Sequence, residues 1–176
     1  MRKGRDEAFT AFMAARYGSL MRTAVLLTGG GGARAEDLAQ EALLRTYRAW
    51  HRIGREEAAE AYTRTTMVRL LIKDRRRRWH AEVPTEHLPE TARSGHEEQV
   101  TTGVAVRALL RTVPATQRAV LVLRFYHQLT EREIADVLGC SPGTVKSRAS
   151  RGLAALRDAP FLGALLTDGE RGPADG

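Results

Sequence analysis

Thr144, Ser147, Arg148 and Arg151 recur at the i, i+3, i+4, i+7 spacing that aligns side chains on one ridge of an α-helix. Their hydroxyls and guanidiniums have the reach to bond base edges in a duplex groove, and arginine is best matched to guanine. Lys146 and Ser150 flank the ridge, which contains no acidic residue, as closeness to phosphate requires. A second group, Asp37, Gln40, Glu41, Leu44 and Arg48, falls on one side of a helical stretch at about 36–50. Its two carboxylates, amide and bare leucine read as a docking surface. A third group, Thr66, Arg69, Lys73 and Arg76, leads into the run Arg75-Arg76-Arg77-Arg78-Trp79. Four consecutive arginines point around the whole circumference of a helix, so some face solvent however it packs. Against a phosphate backbone they give a salt-sensitive attraction that is blind to sequence.

Catalytic chemistry has no comparable support. There is no metal-spaced cluster of His, Asp and Glu, no Ser–His pairing and no sheet-bearing catalytic lobe, which argues against an enzyme acting on DNA, such as a recombinase. Gly29 to Gly32 lack the spaced glycines and Lys-Ser/Thr pair of a phosphate-cradling loop and read as a turn between helices. Cys140 is the sole cysteine, so neither an internal disulfide nor a thiolate zinc site is available. No cofactor or metal is expected.

The elements that position these groups are helical. The 176-residue chain carries a net charge of +7 that is unevenly spread. Residues 1–80 hold 17 Lys and Arg against 9 Asp and Glu, while residues 81–112 hold 3 against 5. Residues 113–158 return to 7 against 4. Two basic blocks on either side of an acidic segment outline two polyanion-binding modules on a linker. The segment 81–103, with Pro84, Pro89, Gly95, Gly103 and five glutamates, reads as an extended linker without helical pattern. The expected fold is all-α: a three-helix lobe at 5–80, the linker, a helix-turn-helix lobe at 104–158 and a polar tail at 159–176. No apolar run approaches a membrane span and no signal-peptide pattern opens the chain, so a cytoplasmic protein is expected.

In the first lobe Phe9, Phe12, Met13, Leu20, Ala24 and Leu27 form one apolar stripe. Ala39, Ala42, Leu43, Thr46 and Trp50 face the core from the second helix, and Met67, Val68, Leu71 and Ile72 from a third at about 58–79. The sharpest local signals lie in residues 130–157. Thr130 and Glu133 make a capping box with Leu129 and Ile134 as its staple, and Gly139 suits the left-handed position that ends a short helix. Ser141 caps the next helix, with Pro142 at N1, where its missing N–H costs nothing. A short helix, a tight turn and a second helix to about Arg157 make a helix-turn-helix, with Val145, Ala149, Gly152, Leu153 and Leu156 inward and the Thr144–Arg151 ridge outward.

The run from Pro114, PATQRAVLVLRFYHQLTEREIADVLGCSPGTVKSRASRGLAALR, resembles region 4 of bacterial sigma-70-type sigma factors. AEDLAQEALLRTYRAW, residues 35–50, resembles region 2.2, and the basic helix with EVPTEHLPE is similar to the extracytoplasmic-function (ECF) group in an actinobacterial form. The resemblance implies a promoter-reading initiation factor partnered by core RNA polymerase and promoter DNA. Asp37, Leu38, Gln40 and Glu41 match the D-L-x-Q-E motif that holds the β′ clamp helices, with Leu44 on the same face. The stretch from His51 to Ala59 matches the loop that captures a flipped base of the −10 element. Arg69, Lys73, Arg76 and Arg77 fall in the helix that binds and helps melt that element. Thr144, Lys146, Ser147, Arg148 and Arg151 match the −35 readers. Arg69 stands where related sequences usually carry asparagine, and it cannot offer the paired donor and acceptor with which an amide reads adenine. The resemblance also admits an anti-sigma factor that would clamp both lobes and hide these faces. The competing reading is a free-standing helix-turn-helix regulator that binds its site without polymerase, against which the 35–50 docking face argues.

Overall fold

The computed structural model describes the backbone of residues 2–53, 55–80 and 97–159, and the side chains of 4–53, 55–74 and 103–159. The first helix, α1 (Arg2–Thr28), ends where glycine can turn left-handed: Gly29 has φ +75°. Gly30 N–H donates to Val25 O (3.1 Å) and Gly29 N–H to Leu26 O (3.3 Å), the paired bonds that close a helix C-terminus. The Leu27 carbonyl is outside that pair and is met from far along the chain, by the Arg118 Nε–H at 2.8 Å.

Helix α2 (Ala33–Ile53) packs its small, close-set face of Ala35, Ala39, Ala42, Leu43, Thr46 and Ala49 inward. Helix α3 (Glu56–His80) crosses it through Met67, Val68 and Leu71, with a hydrogen bond between the buried Thr46 and Thr63 hydroxyls at 2.8 Å. Phe9 and Phe12 of α1 pack edge-on or tilted against Trp50, at 5.2 and 5.3 Å between ring centroids. These three helices form the first lobe.

Helix α4 (Glu97–Thr112) starts within the stretch expected to be linker, so residues 97–103 are helical. Residues 81–96, with the prolines and three of the five glutamates of that stretch, lie outside the described residues, as does the tail from 160. Helix α5 (Ala115–Leu121) runs into a π-helical turn, Val122–Tyr126, closed by His127 N–H on Val122 O at 3.1 Å. The wide turn ends in Gln128, a non-glycine residue at φ 54°. Helices α6 (Glu131–Leu138) and α7 (Pro142–Arg157) follow. Ile134, Ala135, Val145 and Ala149 fill their crossing. Gly152 lets α7 approach α5: a Cβ there would lie 3.0 Å from Leu121 Cδ1 and 3.4 Å from Gln117 Cβ. Leu153, expected inward, is 41% exposed, because the close approach is centred one residue earlier and the next side chain rotates about 100° away.

No strand occurs among the described residues. The lobes are not independent bodies. One continuous apolar cluster runs from Phe12 and Leu20 through Met67 and Val68 to Leu123, Ile134 and Val145.

Candidate nucleic-acid interface

The local chain places α7 as the sequence signals imply. The Thr130 hydroxyl accepts from Glu133 N–H, and Thr130 N–H donates to Glu133 Oε2 at 2.8 Å. Gly139 ends α6 at φ 61°, and Ser141 Oγ accepts from Thr144 N–H at 3.2 Å to start α7. Each such cap is worth about 1 kcal/mol, and two in succession fix the angle at which α7 leaves the turn.

The outward ridge of α7 is knit together. Arg151 Nη2 donates to Ser147 Oγ (3.2 Å), and Ser147 Oγ–H donates to Thr144 O (3.3 Å). The Thr144 and Ser141 hydroxyls are 3.0 Å apart, and Arg148 Nη1 reaches Cys140 Sγ at 3.7 Å. Lys146 and Arg151 are exposed. The five residues thus share one accessible surface whose donors are partly oriented, able to bond base edges and phosphates.

On α2, Asp37, Gln40, Leu44 and Arg48 are exposed, with Leu44 at 43%. Glu41 accepts from Arg45 Nε at 2.7 Å one turn along, which holds its carboxylate beside Leu44. Leu38 sits lower and packs against the core, so its contribution to the face is partial. This surface is charged and apolar by turns, suited to a protein partner.

On α3, Arg69 and Lys73 are exposed, while the Arg76 and Arg77 side chains lie outside the described residues. Arg69 is engaged: its Nε donates to Val137 O of α6 at 3.3 Å. The segment His51 to Ala59, expected as a loop, is mostly helix, since α2 continues to Ile53 and α3 begins at Glu56. A cleft of about 370 Å³ opens beside the short turn, lined by Ala8, Ala11, Phe12, Trp50, Ile53, Arg55 and Glu56.

Sequence reasoning missed the residues that join the lobes. Arg118, 6% exposed, donates to Leu27 O and, through Nη1, to Leu110 O at 2.9 Å. His127 sits between Thr23 of α1 (Nε2 to Oγ1, 3.1 Å) and Arg64 of α3 (Nδ1 to Nη1, 3.4 Å). Burial, and then the charge of Arg64, lower the His127 pKa to about 4. Burial also lowers that of Arg64, against the opposing pull of Glu60 and Glu133. An apolar stretch ending in Tyr126-His127 carries no periodicity that marks a π-turn, and so gave no warning.

Two family models match the chain, Sigma-70 region 2 over residues 13–81 and Sigma-70, region 4 over residues 103–156. The RNA polymerase sigma-E factor of Streptomyces avermitilis is 37% identical over 158 residues, covering 90% of this chain and 88% of the relative. That of Streptomyces coelicolor is 38% identical, covering 85% and 84%. The ECF RNA polymerase sigma factor SigL of Mycobacterium tuberculosis is 34% identical, covering 88% and 92%. Among solved structures, the sigma factor RpoE in complex with the anti-sigma factor NepR from Bartonella quintana matches with a TM-score of 0.63 over 89% of this chain and 97% of that one. Its identity is 22%, so that likeness speaks for the fold alone. Two matched regions, in this order and on this helical frame, belong with relatives alike over nearly their whole length. The chain is a member of the sigma-70 family of RNA polymerase sigma factors, in the ECF group, and directs the initiation of transcription.

Proposed function

We propose that α2 docks the chain on the β′ clamp helices of core RNA polymerase, that α3 meets the −10 element and that α7 reads the −35 element. Asp37, Gln40, Glu41 and Leu44, with partial help from Leu38, form the docking face. Arg69, Lys73, Arg76 and Arg77 approach the −10 strand. Thr144, Lys146, Ser147, Arg148 and Arg151 face the −35 groove. The cleft at the α2–α3 turn, with Phe12 and Trp50 in its wall, is the place for an extruded base, since stacking on an aromatic offsets part of the cost of unpairing. The protein acts in the cytoplasm as a non-catalytic subunit, and no helix among the described residues is long and apolar enough to cross a membrane.

The observation that carries this reading is the surface of exposed Asp37, Gln40 and Leu44 with half-buried Glu41, on a different lobe from a complete helix-turn-helix. A free-standing regulator has no use for it. Reversing Asp37 and Glu41 together to lysine lowers association with core polymerase by on the order of a hundredfold or more, as opposed charges across an interface become like charges. Both sites are on the surface of α2, so the fold is retained. Undiminished association of that variant with purified core enzyme overturns the assignment.

A further inference from the structure

The two lobes meet through polar groups, most of which, Arg69 apart, the sigma-factor reading leaves unused. From α1, Thr23 and Arg22 face the second lobe. Arg22 Nε lies 3.4 Å from Tyr126 Oη, and Thr23 Oγ1 is 3.1 Å from His127 Nε2. From α3, Arg64 approaches His127 Nδ1, and Arg69 reaches Val137 O. Cations of the α1–α3 surface are thus occupied by the lobe that carries the helix-turn-helix.

The hydrogens around His127 can be assigned by elimination. The Thr23 hydroxyl donates to Ser19 O at 3.0 Å, so its oxygen must accept from the His127 ring, which places the proton on Nε2. Arg64 has only donors, so Nδ1 must be the bare, accepting nitrogen. The Thr23 contact survives protonation, since Nε2 donates in either state, but the Arg64 contact requires the neutral ring. A second proton on Nδ1 would set two donors and two positive charges against each other. The Tyr126 ring stands edge-on at 4.9 Å and offers no carboxylate to soften that conflict. The acidic groups close enough to matter, Glu60 on α3 and Glu133 on α6, act on Arg64 instead.

We infer that neutral His127 is the latch of a closed state in which the second lobe covers part of the DNA face of the first, and that a proton on its ring releases it. The inference rests on reading the chain as a sigma factor, because that reading makes closure consequential. The −10 and −35 elements are centred about 25 base pairs apart, roughly 85 Å of duplex at about 3.4 Å per pair. In the closed state α6 touches Arg69, and α7 packs directly on α6 at about the 8–10 Å of neighbouring helices. One chain in this state cannot place α3 on one element and α7 on the other. Arg118, seated on the open carbonyl at the end of α1, acts with the latch: its cation meets the negative end of that helix. Opening is therefore a step on the way to the promoter.

The sign of the pH effect follows from the neutral ring. Closure holds His127 at about 4, below its ordinary 6.5, so closure is fully favoured above pH 6.5 and loses ground as pH falls from there towards 4. The test uses the full chain with dyes at Arg48→Cys and Ser150→Cys in a Cys140→Ser background, reporting the distance between lobes by energy transfer. Transfer is high at pH 7.5, and the open-to-closed ratio rises by about thirtyfold at pH 5 while far-ultraviolet helix content is unchanged. His127→Gln, whose amide can donate to Thr23 and accept from Arg64 without titrating, stays closed at both values. His127→Lys, always charged, is open at both. Equal transfer at the two pH values in the parent chain, or acid opening of His127→Gln alongside the parent, overturns the latch. If His127→Lys loses helix content, the comparison of parent with His127→Gln decides alone. Binding of the unlabelled parent to core polymerase at pH 7.5 reports separately on the sigma-factor reading.

Discussion

The two lobes hold their working surfaces in place by different means. In the second, α6 and α7 begin at side-chain caps, Thr130 with Glu133 and then Ser141, and the turn between them passes through a left-handed glycine. The orientation of Thr144, Ser147, Arg148 and Arg151 is written within some twenty residues of chain. In the first, the α2 N-terminus rests on the Gly32 carbonyl, which accepts from Ala35 and Glu36 N–H, and Arg55 O likewise opens α3 by accepting from Ala59 N–H. There the proposed docking face is aimed by distant contacts: the Phe9–Phe12–Trp50 rings, the Thr46–Thr63 pair and the Arg16–Glu56 ion pair. A locally specified site should tolerate loss of distant packing, and a globally aimed one should not.

Phe12→Ala is the harshest way to test that contrast. Phe12 is 1% exposed and touches Trp50, so its truncation costs about 3–5 kcal/mol. Urea unfolding should show the loss, and polymerase association should weaken far more than binding of a −35 duplex. Equal damage to both activities would break the comparison. Arg148→Ala comes next. Removing one base-reading guanidinium costs about 1–3 kcal/mol at a single position of the −35 element, read by fluorescence anisotropy against a series of substituted duplexes. Lys146→Ala should weaken all of those duplexes alike and reduce the salt dependence, which sharpens the division of labour on α7.

The mildest change is at the cap itself. Thr130→Ala lowers stability by about 1 kcal/mol and impairs −35 binding while sparing polymerase association. The same cap has a pH signature. Hydrogen bonds from the Thr130 side chain, then from its backbone, hold the Glu133 carboxyl below its ordinary value. A depressed carboxyl stabilises the helix above its unfolded-state value and loses that contribution as pH falls through the folded one. Acid titration of α6 amide shifts should therefore show a transition in the parent that Thr130→Ala moves upward.

How far these features could be read in advance follows the same division. The ends of α6 and α7 and the ridge on α7 were legible because caps, Pro142 and Gly139 act over three or four residues. The buried face of α2 was legible because Ala39, Ala42, Leu43 and Thr46 keep helical period. The start of α4 was not: Gly103 and the preceding acidic residues obscured a helix that buries Ala105 and Leu110. Nor was the extent of α2 and α3 around Gly54, where the family pattern suggested a longer loop and helix runs to within two residues on either side. The joining of the lobes was hidden most deeply. Arg118 looks like any surface arginine until Leu27 O is placed before it, and His127 depends on a turn one residue wider than the α-helix.

Gly152 has a consequence for how α7 can change over evolution or in the laboratory. Helix α7 rests on Leu121 at Gly152, where it presents hydrogen instead of carbon and a Cβ would lie 3.0 Å from Leu121 Cδ1. An alanine there asks Leu121 to give by a few tenths of an ångström, and a bulkier residue would act as a shim, lifting the rear half of the helix while its front stays pinned at Val145. The reading residues would all remain, yet they would enter the groove at a new pitch. If α7 reads the −35 site as proposed, its specificity can thus drift through a position on the buried side of the helix.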